Sequence, residues 1–243
     1  NKVMKINLSV SVFIIFMFTA FNTSAQNDTR ISREVACSVN DGYAMSDVVE
    51  FARNIDWSDD MAPNGLFFRE AYAASGEFQY NWDFVISGLY ESFQNMSSKV
   101  TAQRNRAGGR EGASLSDMMT CGPRARVSLI IQANSAGDLF EDSETVAMAT
   151  TSCSLNDGTV ADAVVRASQI GQNFNAYTSV SNRLFGGPIP ESPEAGIRII
   201  FPSGEFGSSM DSVIAGGPPN PPNDGLECRG GSLWFLHRIH SAN

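Results

Sequence analysis

Two periodicities run through the chain. Ala125, Val127, Leu129 and Ile131 alternate with polar residues, which predicts a half-buried strand over residues 124–132. Met45, Val48, Val49, Ala52 and Ile55 instead recur at helical spacing and predict a helix ending near Ile55, with one apolar stripe against a core. Between these lie residues 66–73 and 82–90, both rich in aromatic and β-branched side chains and separated by a Ser75-Gly76 turn. A short strand over residues 35–39 and a polar helix over residues 92–104 complete the order β-α-β-β-α-β for the first part of the chain.

The same order returns in compressed form. Strands are expected at residues 145–155, 180–185, 197–201 and 231–239, with helices at 159–175 and 209–215. Thr159 with Asp162 forms a capping-box pattern at the first of these helices. Residues 216–222, Gly-Gly-Pro-Pro-Asn-Pro-Pro, can only be loop. The repetition is also literal. Residues 37–49 and 153–165 agree at seven of thirteen positions without a gap, including Cys, Asn-Asp-Gly and the paired valines. Ala161, Val164, Val165, Ser168 and Gly171 are expected to repeat the apolar stripe of the first helix, 116 residues later (153 − 37). The organisation expected is a leader at residues 1–25, repeats at 26–133 and 145–243, and a polar, acidic linker at 134–144.

This element order resembles the split β-α-β arrangement of ferredoxin-like folds. Two copies in one chain resemble the dimeric α+β-barrel family with both subunits fused. The fold class expected is therefore α+β, two tandem ferredoxin-like repeats forming one fused barrel that behaves as a monomeric pseudo-dimer. The Cys-Ser-x-Asn-Asp-Gly repeat is also similar to exported bacterial proteins. The resemblance implies a disulfide pairing. In a ferredoxin-like sheet the first and last strands are antiparallel neighbours, so Cys37 would join Cys121 and Cys153 would join Cys228. Each bond would close a loop of about 75 to 85 residues and stabilise the fold by roughly 4 kcal/mol.

Charge and address narrow the function. Lys2 and Lys5 precede an apolar run over residues 6–21, and Thr23-Ser24-Ala25 supplies small residues for signal cleavage before Gln26. An exported chain, periplasmic or extracellular and with no membrane span after processing, fits four cysteines paired as two disulfides. Beyond Ala25 there remain 15 basic and 26 acidic side chains, a balance of −11, which argues against nucleic acid as a partner. All but one of those basic residues are arginines, so cations are expected to be fixed in ion pairs.

Candidate chemistry is sparse. His237 and Arg238 lie on opposite faces of the last predicted strand, so whichever face lines a pocket between the sheets carries one of them among apolar walls. Tyr72, Tyr90, Arg69, Glu70, Arg126 and Arg198 are further polar groups on predicted strands. The Asn-Asp-Gly segments lack the ligand spacing of a calcium loop and are expected to be turns in which Asn or Asp caps the following helix. Lys99, Arg104, Arg106, Arg110, Arg124 and Arg126 form a basic cluster around the glycine-rich segment 107–112, without the Gly-Lys-Ser/Thr ending of a phosphate loop. No metal or cofactor is expected. The reading is an exported, non-catalytic protein that binds a small apolar or amphipathic ligand, or a protein partner, in a pocket between the sheets. The alternative implied by the resemblance is a cofactor-independent monooxygenase-like or haem-handling enzyme.

Overall fold

The computed structural model describes residues 28–74, 82–106, 114–186, 194–215 and 225–241. The expected leader, the Ser75-Gly76 turn and segment 107–112 with Arg110 lie outside them. The first repeat runs β1 (Thr29–Val39), α1 (Met45–Arg53), β2 (Gly65–Ala74), β3 (Phe84–Tyr90), α2 (Phe93–Arg106), α3 (Leu115–Met118), β4 (Met119–Cys121) and β5 (Arg126–Asn134). The second runs β6 (Thr145–Leu155), α4 (Val160–Phe174), β7 (Tyr177–Phe185), β8 (Glu194–Ile200), α5 (Phe206–Ile214) and β9 (Leu226–Ser241).

Within the first repeat β3 lies between β1 and β2, and β5 flanks β1 on its other side; all these pairings are antiparallel. The second repeat copies this, with β8 between β6 and β7, and β9 beside β6. Each repeat is therefore a ferredoxin-like sheet. The two sheets join edge to edge, β2 to β9 and β5 to β7, so eight strands close on themselves and no long edge is left unpaired. This is a fused α+β barrel, with its helices on the outside.

Strand alternation sorts the side chains. Cys37, Leu66, Phe68, Phe84 and Ile239 point outward and pack under Val48, Val49 and Ala52 of α1. Val146, Met148, Trp234 and Leu236 point inward, together with Phe67 and Val85 from the other repeat. At one barrel end, in the segment between β5 and β6, Phe140 stacks on Phe67 at 6.1 Å and Arg238 lies over the Phe140 ring at 4.7 Å. No helix among the described residues is long and apolar enough to cross a membrane.

Both disulfides form as the resemblance implied, Cys37 to Cys121 and Cys153 to Cys228, each between directly opposed residues of neighbouring strands. The second cysteine is placed differently in the two repeats. Cys121 sits on β4, a separate short strand, because Gly122 and Pro123 interrupt the last strand of the first repeat. Cys228 lies inside β9, which runs unbroken for 16 residues.

Two local expectations are corrected. In α4 the buried positions are Ala163, Ala167 and Gly171, whereas Val165 is 57% exposed. The stripe of small residues lets this helix lie close to the sheet. At Gly171 a Cβ would sit 2.6 Å from Cβ of Asn134 and 2.9 Å from the Ala176 carbonyl oxygen, so the helix is as near as it can come. The Thr159–Asp162 capping box does form. The Asn-Asp-Gly turns do not cap helices through Asn or Asp. Asp47 accepts the Ala44 N–H instead, while Asn40 reaches across to the Asp117 carbonyl and to the Thr120 hydroxyl beside the disulfide. Gly42 does adopt positive φ, at +90°.

Candidate functional site

The barrel interior is polar at its middle. Ser32, Glu34, Ser87, Ser128, Ser179 and Ser232 are all buried there. Glu34 accepts from two guanidinium groups, Arg198 at 2.7 Å and Arg69 at 3.0 Å. Burial alone would raise the Glu34 carboxyl, but Arg69, Arg198 and Arg126 outweigh it and hold the pKa at about 2. The Arg69 guanidinium lies 5.3 Å from the centre of the Trp234 ring, and Trp234 Nε1 donates to Thr150 Oγ1 at 3.0 Å. Glu34, Arg69, Arg198, Trp234 and Thr150 thus form one chain of contacts across the space between the sheets. These side chains occupy the middle of the barrel, where a buried carboxylate has to be met by its cations.

The cavity lies elsewhere, on the outer face of the first repeat. It measures about 490 Å³, within the ordinary range of small-molecule sites. Its floor is the outward row of β1, β2 and β3, with Val35, Leu66, Phe68 and Ile86. Phe51 and Ile55, at and beyond the end of α1, form one wall, followed by Trp57, Met61 and Pro63 of the next loop. Trp57 is held by its indole N–H, which donates to the Ala52 carbonyl at 3.1 Å and so closes the end of α1. Lys99 and Gln103 of α2 donate to the Ala62 and Met61 carbonyls at 2.6 and 2.7 Å, which pins that loop to the second helix.

Arg33, Tyr90, Gln103 and Ser114 are the polar side chains among the described lining. Arg33 lies opposite Gly88 in the β1–β3 register, and Tyr90 lies two residues further along β3. Burial raises the Tyr90 phenol, against the opposing influence of Arg33 and a hydrogen bond from Gln103, so the hydroxyl stays protonated and can donate. Gly88 makes the room: a Cβ there would stand 3.0 Å from the Tyr90 hydroxyl.

A second hollow, about 580 Å³, lies between α1 and the β6–β9 pair. Thr145 and His237 line it, facing Glu50 and Arg53. His237 Nε2 is 3.0 Å from Glu70 Oε2 and Nδ1 is 2.9 Å from the Thr145 hydroxyl. Desolvation lowers the His237 pKa, outweighing the Glu70 carboxylate. The neutral ring therefore donates from Nε2 to Glu70 and accepts from Thr145 at Nδ1. This hydroxyl–imidazole–carboxylate row ties β6, β9 and β2 together across the junction of the repeats.

Of the residues singled out from sequence, Tyr90 enters the groove, while Arg126 and Arg198 surround Glu34 inside the barrel. His237 faces outward under α1, and Arg238 is fixed at the barrel end by a bidentate pair with Glu144 at 2.7 and 2.5 Å. Tyr72 is exposed on the outer surface, edge-on to Phe235 at 5.0 Å. The six do not form one site. Sequence reasoning missed Glu34, Arg33, Trp57 and Gln103. Arg33 carries a usable signal: it shares an outward row with Val35 and Cys37, where a charge is out of place. Among the described residues no group of three or more His, Cys, Asp or Glu is arranged to hold a metal ion.

The topology defines the class, two ferredoxin-like repeats closed into one α+β barrel. No protein-family model matches the chain, and no curated protein matches it. Solved structures are similar only in outline. A mutant chlorite dismutase from Candidatus Nitrospira defluvii, in complex with cyanide, has 6% identity and a TM-score of 0.46, covering 88% of this chain and 92% of its own. An anthrone oxidase-like protein has 7% identity and a TM-score of 0.45, covering 90% of this chain and 98% of its own.

Proposed function

We propose that this protein is an exported, non-catalytic binder of a small apolar or amphipathic ligand, held in the groove between the helices and the sheet of the first repeat. The single observation that carries this reading is the groove itself. A cavity of about 490 Å³ with mainly apolar walls stands open where close packing would otherwise be expected. Two disulfides are consistent with export. The enzymatic alternative finds less support in the groove. For haem the described lining offers no imidazole, Cys121 is tied in a disulfide and burial raises the Tyr90 phenol, so Met61 is the one thioether left as an axial ligand, a weak donor without an imidazole opposite it. The groove also lacks, among its described residues, a nucleophile hydrogen-bonded to a base.

The test is native mass spectrometry of the full disulfide-bonded chain, compared with an Ile86→Trp variant that fills the floor. A bound small molecule in the parent and none in the variant, at equal thermal stability, is the expected result. An identical ligand load in both would place the ligand outside the groove and sink the reading.

A further inference from the structure

Among the described residues, the groove holds a cation without a carboxylate partner. Arg30, Arg69, Arg198 and Arg238 each sit on a carboxylate. Arg33 is half-buried at the groove and has no such partner among the described residues. Its surroundings sharpen the contrast, since the described lining contains no Asp or Glu at all. A guanidinium partly withdrawn from water, in a groove whose other walls are mainly apolar, loses hydration without regaining it from a described carboxylate. An anion supplied from outside restores the balance, and a planar carboxylate matches the guanidinium fork with two parallel hydrogen bonds. A cationic ligand would be repelled, and a neutral one would bury Arg33 further.

We propose that the ligand of this groove is an aromatic or similarly flat apolar carboxylic acid, bound as its anion, with Arg33 as the carboxylate anchor and Tyr90 as a flanking donor. This rests on the groove being the binding site. Three features fix the ligand class beyond the charge. Phe51, Trp57 and Phe68 provide aromatic faces for the body of the molecule. The Tyr90 hydroxyl lies beside Gly88, the register partner of Arg33, so both donors are at one end of the groove. Gln103 is hydrogen-bonded to Tyr90 and to the Met61 carbonyl, which fixes that end before any ligand arrives.

The experiment compares two probes with one ring system, 2-naphthoate and 2-naphthylmethanol, by calorimetric titration of the full disulfide-bonded chain at neutral pH. The expected result is at least about a tenfold preference for the carboxylate, the range of a hydrogen bond to a charged group. Arg33→Met, which keeps the apolar stem, should bring naphthoate to within about twofold of the alcohol and leave the alcohol unchanged. Arg33→Lys should retain part of the preference. Equal affinities in the unmodified chain, or a preference that survives Arg33→Met, would overturn the carboxylate anchor while leaving the groove as a binding site. Failure of both probes to bind the unmodified chain would overturn the groove reading as well.

Discussion

In the second repeat the helix that follows the first strand runs for 15 residues, about 22 Å, along the outer face of the sheet. In the first repeat the corresponding helix runs for nine residues, about 14 Å, and stops at Arg53. The missing turns leave the sheet uncovered beyond Ile55, and a loop, Trp57 and the second helix make a roof at a distance. The long helix meets the sheet through Ala163, Ala167 and Gly171, which brings two backbones together. The short one meets it through Val48, Val49 and Ala52, whose larger side chains keep it further out. One duplicated sheet thus carries a filled face and an open face, and the difference lies in helix length and in the size of the contacting residues rather than in strand order.

The largest effect tests what the repeats share. Replacing either disulfide by an alanine pair should lower stability by about 4 kcal/mol in the loop-entropy model. Separations of 84 and 75 residues make the two losses nearly equal. Urea unfolding curves check this, and a gap of more than about 2 kcal/mol between the pairs would show that the two staples are not equivalent.

Next comes the barrel interior, where the repeats differ. Glu34→Gln leaves two buried guanidinium groups without their carboxylate and should cost about 3 to 5 kcal/mol. Thr150, at the equivalent position (34 + 116), only accepts a bond from Trp234, so Thr150→Val should cost about 1 kcal/mol. Acid titration gives the same contrast without mutation. The folded Glu34 pKa of about 2 lies below its unfolded value of about 4.3, so its contribution is whole above the unfolded value. It is lost as pH falls towards 2. In Glu34→Gln that part of the acid transition should be missing.

Smaller effects probe the outer faces. Gly171→Ala drives a methyl group into Asn134 and the Ala176 carbonyl and should cost about 1 to 3 kcal/mol. Ile86→Trp should change thermal stability by less than about 1.5 kcal/mol, because the groove has room for the ring. If both substitutions cost the same, the two faces are packed alike and the comparison fails. The smallest effect belongs to His237. Its folded pKa lies below the unfolded value of about 6.5, so the unfolded chain takes up the proton first. Stability should be level above that value and decline as pH falls from about 6.5 towards the folded pKa, a slope that His237→Gln removes.

The element order of both repeats was legible because apolar alternation and the repeated cysteine segment survive in the sequence, and the resemblance to ferredoxin-like folds then implied the disulfide pairing. The start of β1 was not. The strand was expected only over residues 35–39, since the barrel buries Ser32 and Glu34 on its inner face and so erases the alternation before them. For the same reason Glu34 gave no signal: its cations come from β2 and β8, 35 and 164 residues away (69 − 34 and 198 − 34). The apolar phase of α4 was misjudged because Ala and Gly carry little hydrophobic weight, whereas Val164 and Val165 carry much. The groove was invisible because helix length and the size of the contacting side chains, rather than a motif, create it.

Joining the two sheets in one chain also removes a constraint on what their shared interior can contain. A barrel assembled from two identical chains must place every inward side chain twice, related by the axis of the assembly. Here a threonine, Thr150, holds in the second repeat the place of Glu34, and Arg198 occupies in β8 the place that Ser87 holds in β3, since each faces the matching residue of its own first strand. An identical pair of chains carrying this arrangement would hold two glutamates and four arginines in the same volume, with like charges facing each other. Covalent fusion lets the second half add Arg198 to the Glu34–Arg69 pair of the first at a single point. One carboxylate between two unlike cations is therefore an arrangement that an asymmetric barrel can hold once.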